Sequence, residues 1–359
     1  MGTGTSTGQP TIVSIAERAG VSIASVSRVL NGVGARRDTV VKVERAAAEL
    51  GYVPNAVARS LKGGRTRQLT FAMPDIGNPV YVAMVRAIQS VAKAAGYRLL
   101  LHSTDAVVDD ELAVLRSLGD RTSDGLIICP IRITDAHIEA LRTAAGPVVV
   151  IGSLPDGVPV DSVRADSVAG AALAVRHLHE TGRRRIAFVN GPADTVPGAN
   201  RDEGYRAALA DCGLVYDPAL VVHTDFGIES GADATEGLLE RARPDAVFCA
   251  NDQLALGAAR ALHARGLRIP EDVAVAGMDD SMLAQAGWPP LTSVDLGSTA
   301  RGREAAELLL KRLSAPVGPA GPADPANAAE AAENSTPRTT TAPPRLVVRA
   351  STGRAAPDS

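Results

Sequence analysis

The fold of the N-terminal part of the chain is decided by residues 11–30, TIVSIAERAGVSIASVSRVL. Two stretches with helical spacing of apolar residues, 12–19 and 23–30, flank the tripeptide GVS. Glycine allows the tight corner between two packed helices, and Ser22 can cap the second helix. The residues spaced so that both helices share one core are Ile15, Ala19, Val21, Val26 and Leu30. The stretch predicts a helix-turn-helix unit, followed by a third helix at about 38–50 capped by Asp38.

The second helix of this unit carries side chains that suit the major groove of DNA. The side chains expected to meet base edges are Ile23, Ala24, Ser27 and Arg28, and those expected to meet phosphates are Ser22 and Ser25. Arg28 would donate two hydrogen bonds to a guanine. Because helix pairs in many enzymes share the pattern, DNA binding and a purely structural helix pair both stay open at this point.

Charge is divided unevenly along the chain. Residues 1–67 contain ten Lys and Arg against four Asp and Glu, whereas the rest of the chain contains 27 against 36. A basic segment neutralises phosphates, and an acidic one repels a duplex. The N-terminal part is therefore the part predicted to bind DNA.

The stretch PNAVARSLKGG at 54–64 predicts a short helix that begins near the proline and ends at two glycines. At about eight residues such a helix is unstable alone, which suits a segment that folds only on DNA. Leu61, beside Arg59 and Lys62, is interpreted as an apolar wedge for the minor groove. An inert linker is the alternative.

From residue 69 onward, short apolar runs alternate with amphipathic helices such as 81–95, 167–180 and 253–265. The runs are LTFAM, RLLLH, GLIIC, PVVVI, RIAFVN, LVVH, AVFCA and VAVAG. Strands that are apolar on both faces and separated by helices predict parallel sheets covered by helices. About 280 residues of this pattern are enough for two such lobes.

Residues 314–343 are rich in Pro and Ala, and such a composition cannot bury enough apolar surface to order itself. They are predicted to be a disordered insertion. The apolar run RLVV at 345–348 then predicts a final strand, which disfavours the alternative of a plain C-terminal tail.

Several function classes are disfavoured by what the chain lacks. No apolar run approaches the roughly 18 residues of a membrane span, and the N-terminus lacks a secretory signal, so a cytoplasmic protein is expected. The cysteines Cys129, Cys212 and Cys249 are interpreted as reduced thiols. His177 and His179 point to different faces of a helix and cannot form a metal pair. Without GxSxG, P-loop or metal spacing, we expect no catalytic residue, no metal and no cofactor.

Polar side chains that could bind a small molecule follow several predicted strands. Arg201, Asn251 and Asp279 lie near the carboxyl ends of strands, where open α/β sheets bind ligands. For Arg201 a surface ion pair is the alternative. Asp166 and Asp252 begin helices and are interpreted as caps.

Separated motifs, in the same order, resemble those of the LacI family of repressors. They are TIVSIAERAGVS (11–22), VSRVLNG (26–32), PNAVARSL (54–61), ANDQLALG (250–257) and PPLTSV (289–294). The resemblance covers about residues 11–350 apart from the insertion. It implies a DNA-binding head, a hinge helix and a two-lobed core like the periplasmic sugar-binding proteins, with the effector between the lobes. It also implies a homodimer that reads a pseudo-palindromic double-stranded operator.

The resemblance also assigns residues. It places Asn31, Asn55 and Arg59 with the DNA-contacting residues, and it matches Arg201, Asn251 and Asp279 to effector contacts. Tyr81 and Phe226 match positions where relatives place aromatic rings against the ligand. After the last motif, relatives often carry a polar pair where this chain has Asp295-Leu296, so the ligand's orientation there is not carried over.

The sequence thus predicts a small all-α helix-turn-helix domain with a hinge helix, followed by a two-lobed α/β core with parallel sheets. The predicted segments are a disordered N-terminus (1–10), the helix-turn-helix domain (11–53), the hinge helix and linker (54–67), the N-terminal lobe (68–163 and 295–313), the C-terminal lobe (164–294 and 344–350) and the insertion (314–343). The predicted function is sequence-specific transcriptional regulation, as a repressor controlled by a small molecule, expected to be a sugar or sugar derivative. Two alternatives are a transport-type solute-binding protein, which would not explain the basic head, and an α/β enzyme, for which the sequence offers no catalytic motif.

Overall fold

The computed structural model describes residues 10–30, 34–52, 65–314 and 336–353. The chain forms two compact units, Met1–Thr66 and Arg67–Ser359. The predicted hinge helix falls on residues 53–64, which lie outside the described residues, as do 315–335 of the predicted insertion.

The first unit contains three helices, α1 (Ile12–Ala19), α2 (Ile23–Leu30) and α3 (Arg37–Glu49). Gly20 ends α1 with a φ of 65°, which a residue with a side chain rarely adopts. The Ser22 hydroxyl oxygen accepts a hydrogen bond from the backbone N–H of Ser25, so the predicted cap of α2 is confirmed. Asp38 does not cap α3, because the helix begins one residue earlier and leaves Asp38 in its first turn.

The core of this unit is small. The fully buried residues are Ile15, Ala16, Val26, Val43 and Ala46, and those packed around them include Ala19, Val21 and Leu30. The predicted shared core is therefore present. Arg18 of α1 also forms an ion pair with Glu49 of α3, with 2.7 Å between Nη2 and Oε2.

The second unit alternates strands and helices. Its strands are β1 (Gln68–Met73), β2 (Arg98–Ser103), β3 (Gly125–Ile128), β4 (Val148–Ile151), β5 (Asp161–Ala165), β6 (Ile186–Asn190), β7 (Val221–His223), β8 (Ala246–Cys249), β9 (Ala274–Met278), β10 (Thr292–Asp295), β11 (Thr339–Ala342) and β12 (Arg345–Val347). Its helices are α4 (Pro79–Ala94), α5 (Val108–Arg116), α6 (Asp135–Arg142), α7 (Ser167–Glu180), α8 (Val196–Asp211), α9 (Ile228–Arg241), α10 (Asp252–Ala264), α11 (Met282–Ala286) and α12 (Ser298–Ser314).

The strands form two six-stranded sheets, one in each lobe. The sheet of the N-terminal lobe has the order β11-β5-β4-β3-β1-β2 and is parallel throughout. The sheet of the C-terminal lobe has the order β12-β10-β9-β8-β6-β7 and is parallel except for the β10–β12 pair. The chain passes between the lobes after β5, after β10 and after β11. Both sheets therefore place the carboxyl ends of their parallel strands where ligands bind in open α/β folds.

Two strands that the sequence analysis missed owe their places to long-range contacts. β5 carries Asp161, which is buried because Arg312 of α12 binds both of its carboxylate oxygens at 2.7 and 2.6 Å. β11 lies inside the segment predicted to be a disordered insertion, and it pairs with β5. The backbone N–H of Arg338, just before β11, also donates to Asp161. The prediction of disorder is therefore wrong for residues 336–342.

Candidate effector cleft and DNA-contacting helix

A cleft between the two lobes holds about 920 Å³ of empty space, counting the solvent at its mouth. All five residues that the sequence predicts to contact an effector line this cleft: Tyr81, Arg201, Phe226, Asn251 and Asp279. The structure thus brings together side chains spread over almost 200 positions, and their roles toward a ligand stay predictions.

Arg201 lies in the second turn of α8, more than ten residues beyond the end of β6. Thr195 caps this helix by accepting a hydrogen bond from the N–H of Gly198, so the helix starts before the arginine. Arg201 is only 7% exposed, which excludes the alternative of a surface ion pair. Its Nη2 lies 3.8 Å from Oδ1 of Asp279, and its guanidinium lies 5.8 Å from the centre of the Phe226 ring.

The Nε atom of Arg201 is buried without a hydrogen-bond partner among the described residues. A buried donor without a partner costs stability, on the order of 1 to 3 kcal/mol. Arg201 therefore carries a donor beside the cleft that no described residue satisfies.

Asn251 follows β8 and caps α10. Its Oδ1 accepts a hydrogen bond from the N–H of Leu254 at 2.8 Å, and its Nδ2 donates to the carbonyl oxygen of Phe226 at 3.0 Å. One amide N–H is left for a ligand. The side chain is thereby held in place, and it also fixes the segment that carries the Phe226 ring.

Two carboxylates, Asp252 and Asp279, lie near Arg201 and near each other. Burial raises the pKa of Asp279 to about 6, although nearby Arg201 favours its charged form. Burial and the Asp279 charge raise the pKa of Asp252 to about 7. Asp252 does not cap α10 as predicted, because Asn251 occupies the cap position. Its oxygens instead accept hydrogen bonds from the Ser293 hydroxyl at 2.6 Å and the Ser281 N–H at 2.7 Å.

Asp166, in contrast, does cap α7 as predicted, because its carboxylate accepts a hydrogen bond from the N–H of Ala169.

Residues at the mouth of the cleft connect the lobes. Arg132, after β3, binds Asp194, after β6, through Nε at 2.7 Å and Nη2 at 3.2 Å. The N–H of Val196 also donates to the carbonyl oxygen of Ile131 at 2.8 Å. Because each contact joins one lobe to the other, both favour an arrangement in which the lobes face each other closely.

The predicted DNA contacts on α2 in the first unit differ in exposure, and their roles toward DNA stay predictions. Val26 faces the core, whereas Ile23, Ala24 and Arg28 are exposed and Ser27 is half-buried. The Ser22 and Ser25 hydroxyls lie 2.9 Å apart at the start of the helix. The remaining predicted contacts, Asn31, Asn55, Arg59 and Leu61, lie outside the described residues.

Comparison with known proteins gives a consistent result. Residues 11–55 match the model of the bacterial regulatory proteins of the lacI family, and residues 175–352 match a periplasmic binding protein-like domain. The HTH-type transcriptional regulator CelR of Thermobifida fusca is 38% identical over 316 residues, which are 85% of this chain and 92% of CelR. The chain belongs to the lacI family of bacterial regulatory proteins.

Solved structures of the LacI family extend the match to the whole fold. A CelR–cellobiose complex is 35% identical and covers 95% of this chain and 99% of its own, with a TM-score of 0.69. The lac repressor dimer bound to operator and the anti-inducer ONPF is 28% identical and covers 97% and 100%, with a TM-score of 0.81. The predicted family and fold are confirmed.

This LacI-family chain is a DNA-binding transcriptional regulator, and the family's members are regulators, not enzymes. Within the described part of the chain, no three His, Cys, Asp or Glu side chains are grouped so that they could hold a metal ion. None of the described helices is long and apolar enough to cross a membrane. The three cysteines are free thiols, and Cys129 and Cys249 are buried.

The LacI-family cleft also contains residues that sequence reasoning missed. Arg301, near the start of α12, lines it from the N-terminal lobe, as does the Cys129 thiol. Gly191 lies behind the ring of Phe226, since a Cβ atom there would be 2.1 Å from the ring. No local pattern marks these residues, because α12 follows the second crossing between the lobes and meets the cleft only in the folded core.

Proposed function

We propose that this LacI-family regulator represses transcription as a homodimer on a pseudo-palindromic operator, and that a sugar or sugar derivative in the cleft controls its operator affinity. The observation that carries the proposal is Arg201, which lines a cleft built from both lobes and whose buried Nε has no hydrogen-bond partner among the described residues. A ligand that fills this cleft would contact both lobes at once.

Contact with both lobes matters because a ligand shifts a conformational equilibrium only if it binds two states with different affinity. A molecule held by Tyr81 on one lobe and Arg201 on the other stabilises the arrangement in which these residues face each other. That arrangement is coupled to operator affinity by linkage. The cellobiose in the similar CelR structure supports a sugar-like ligand.

A dimer is supported by the lac repressor structure, which is a dimer bound to operator. One short helix such as α2 reads few base pairs, and two copies related by a two-fold axis read two half-sites one helical turn apart. The basic N-terminal part supplies phosphate contacts. A protein that binds the bacterial genome acts in the cytoplasm, which is the location we propose.

Operator binding is tested by selecting duplexes from a random DNA pool with the purified full-length protein. We expect enrichment of a palindrome of about 14 to 20 base pairs. Arg28→Ala tests the predicted base contact in the same selection. Its control is Val41→Ser, at an exposed position of α3 outside the predicted contacts. A pool that stays unenriched for the wild type, with and without added metabolite extract, would contradict operator binding.

Effector control is tested by fluorescence anisotropy of the selected operator during titration with candidate sugars. Arg201→Met should abolish the ligand's effect, because it removes the buried donor from the cleft. Arg206→Met is the matched control, since Arg206 lies on the same helix but is exposed and paired with Asp202 outside the cleft. Loss of the effect in both variants, or in neither, would contradict the role of the cleft.

A further inference from the structure

The cleft contains a second buried arginine that no predicted contact includes. Arg301 is 7% exposed and lines the cleft from the first turn of α12. Its Nε donates to the carbonyl oxygen of Leu296 at 3.0 Å, which aligns the side chain along the start of the helix. Among the residues that the structure describes, no carboxylate lies within 4 Å of its guanidinium nitrogens.

The carboxylates around the cleft do not balance two arginines. Asp279 is shared between Arg201, at 3.8 Å, and the more distant Arg301. Asp75, at the rim, is exposed, and its Oδ1 accepts from the N–H of Gly77. Of the other nearby carboxylates, Asp280 and Asp295 are paired with Arg349 and Arg345. Asp252 has its pKa raised to about 7, mainly by burial, so it is ionised only in part at neutral pH and offsets the arginines incompletely.

The two arginines also act on each other. Burial lowers the pKa of Arg201, Asp279 and Tyr81 raise it, the Arg301 charge lowers it, and Asp252 raises it least, so the two guanidinium groups repel each other. A buried cation without a counter-charge is costly, and a buried donor without a partner adds to that cost. A neutral sugar hydroxyl would satisfy the donors and leave the charge uncompensated.

A group that satisfies both needs is a carboxylate or a phosphate. The planar fork of an arginine binds two oxygens of either anion at once, and these charge-assisted hydrogen bonds are about twice as strong as neutral ones. The polar side chains of Asn251 and Tyr81 remain for hydroxyl groups of the same molecule.

We propose that the ligand of this cleft is an acidic sugar derivative whose carboxylate or phosphate group is bound by Arg301 together with Arg201. The inference rests on the proposed function, since it takes the cleft to be the effector site.

The test uses sugars in matched neutral and acidic forms with the full-length protein. The sets are cellobiose with cellobionate, and glucose with glucuronate and glucose 6-phosphate, extended to a panel of other uronic acids, aldonic acids and sugar phosphates. Binding is measured by calorimetry, and operator release is measured separately by anisotropy. We expect an acidic member to bind about tenfold or more tightly than its neutral form. Glucuronate and glucose 6-phosphate distinguish a carboxylate ligand from a phosphate ligand.

Variants on α12 assign the preference to one side chain. Arg301→Met should remove the preference for the acidic form, and Arg301→Lys should retain part of it. Arg303→Met is the matched control, because Arg303 is exposed on the same helix and does not line the cleft, so its removal should leave the preference intact.

The outcomes separate this inference from the function on which it rests. Tighter binding of a neutral sugar that also releases operator would overturn the inference and support the proposed function. Acid binding that depends on Arg301 but does not change operator affinity would support the inference and contradict the proposed function. If no acidic compound of the panel binds, or if Arg301→Met leaves the preference unchanged, the inference is wrong.

Discussion

Asp252 is a buried carboxylate whose ionisation costs the folded core stability, and we expect Asp252→Asn to remove that cost. Burial, and then the Asp279 charge, raise its pKa from an ordinary value of 3.8 to about 7. About three pKa units at 1.36 kcal/mol per unit correspond to about 4 kcal/mol between the protonated and ionised forms. The amide keeps the geometry, because its oxygen accepts from the Ser281 N–H and its nitrogen donates to the Ser293 hydroxyl.

The sign of the effect follows from proton binding. Between about pH 4 and pH 7 the folded protein holds a proton on Asp252 that the unfolded chain has released, so stability falls as pH rises through this window. From pH 5.5 to pH 8 the wild type should lose about 2 kcal/mol from this group. Burial lowers the pKa of His177, which has the opposite effect, but His177 is present in both proteins and its contribution cancels in the comparison.

The assay is urea unfolding followed by circular dichroism at pH 5.5 and pH 8 for the wild type and Asp252→Asn. The variant should be more stable than the wild type at pH 8, and its stability should change less between the two pH values. Asp233→Asn, at an exposed position of α9 in the same lobe, is the control and should behave like the wild type. Equal pH dependence in the wild type and Asp252→Asn would refute the reasoning.

Three further predictions concern the head and the cleft. Ile15→Ala should lower the free energy of unfolding of the head by about 2 to 5 kcal/mol, because the core of the head is small. Anisotropy should then show loss of operator binding, while calorimetry still detects effector binding. Near-normal operator affinity would contradict this prediction. Arg28→Ala should cost about 1 to 3 kcal/mol of discrimination at one base pair of each half-site, measured with single-substitution operators; a uniform loss across all sequences would indicate a phosphate contact instead. Arg132→Met should weaken effector binding, because the ion pair of Arg132 with Asp194 joins the lobes. Since salt screens this exposed pair, the loss of affinity should be smaller in high salt. Calorimetry at two salt concentrations measures the loss, and unchanged affinity at low salt would contradict the prediction.

The sequence by itself determined the elements whose signals are local. The eight apolar runs all coincide with strands. Six of these strands are buried, because a strand inside a covered parallel sheet is enclosed on both faces, whereas β2 and β7 lie at sheet edges and are partly exposed. The head followed from helical spacing, from Gly20 and from the Ser22 cap. The resemblance to the LacI family added Tyr81 and Phe226 to the cleft, which periodicity alone does not mark.

The tertiary structure decided which distant residues meet. Asp161 is buried in β5 only because Arg312, about 150 positions later, neutralises it, so its segment does not look like a strand in the sequence. Asp252 faces Ser293 because the neighbouring Asn251 already caps the helix. Arg301 reaches the cleft because the chain returns to the first lobe before α12 begins. Local patterns report whether a residue is buried, whereas the partners of a buried charge depend on strand order and on how the lobes face each other.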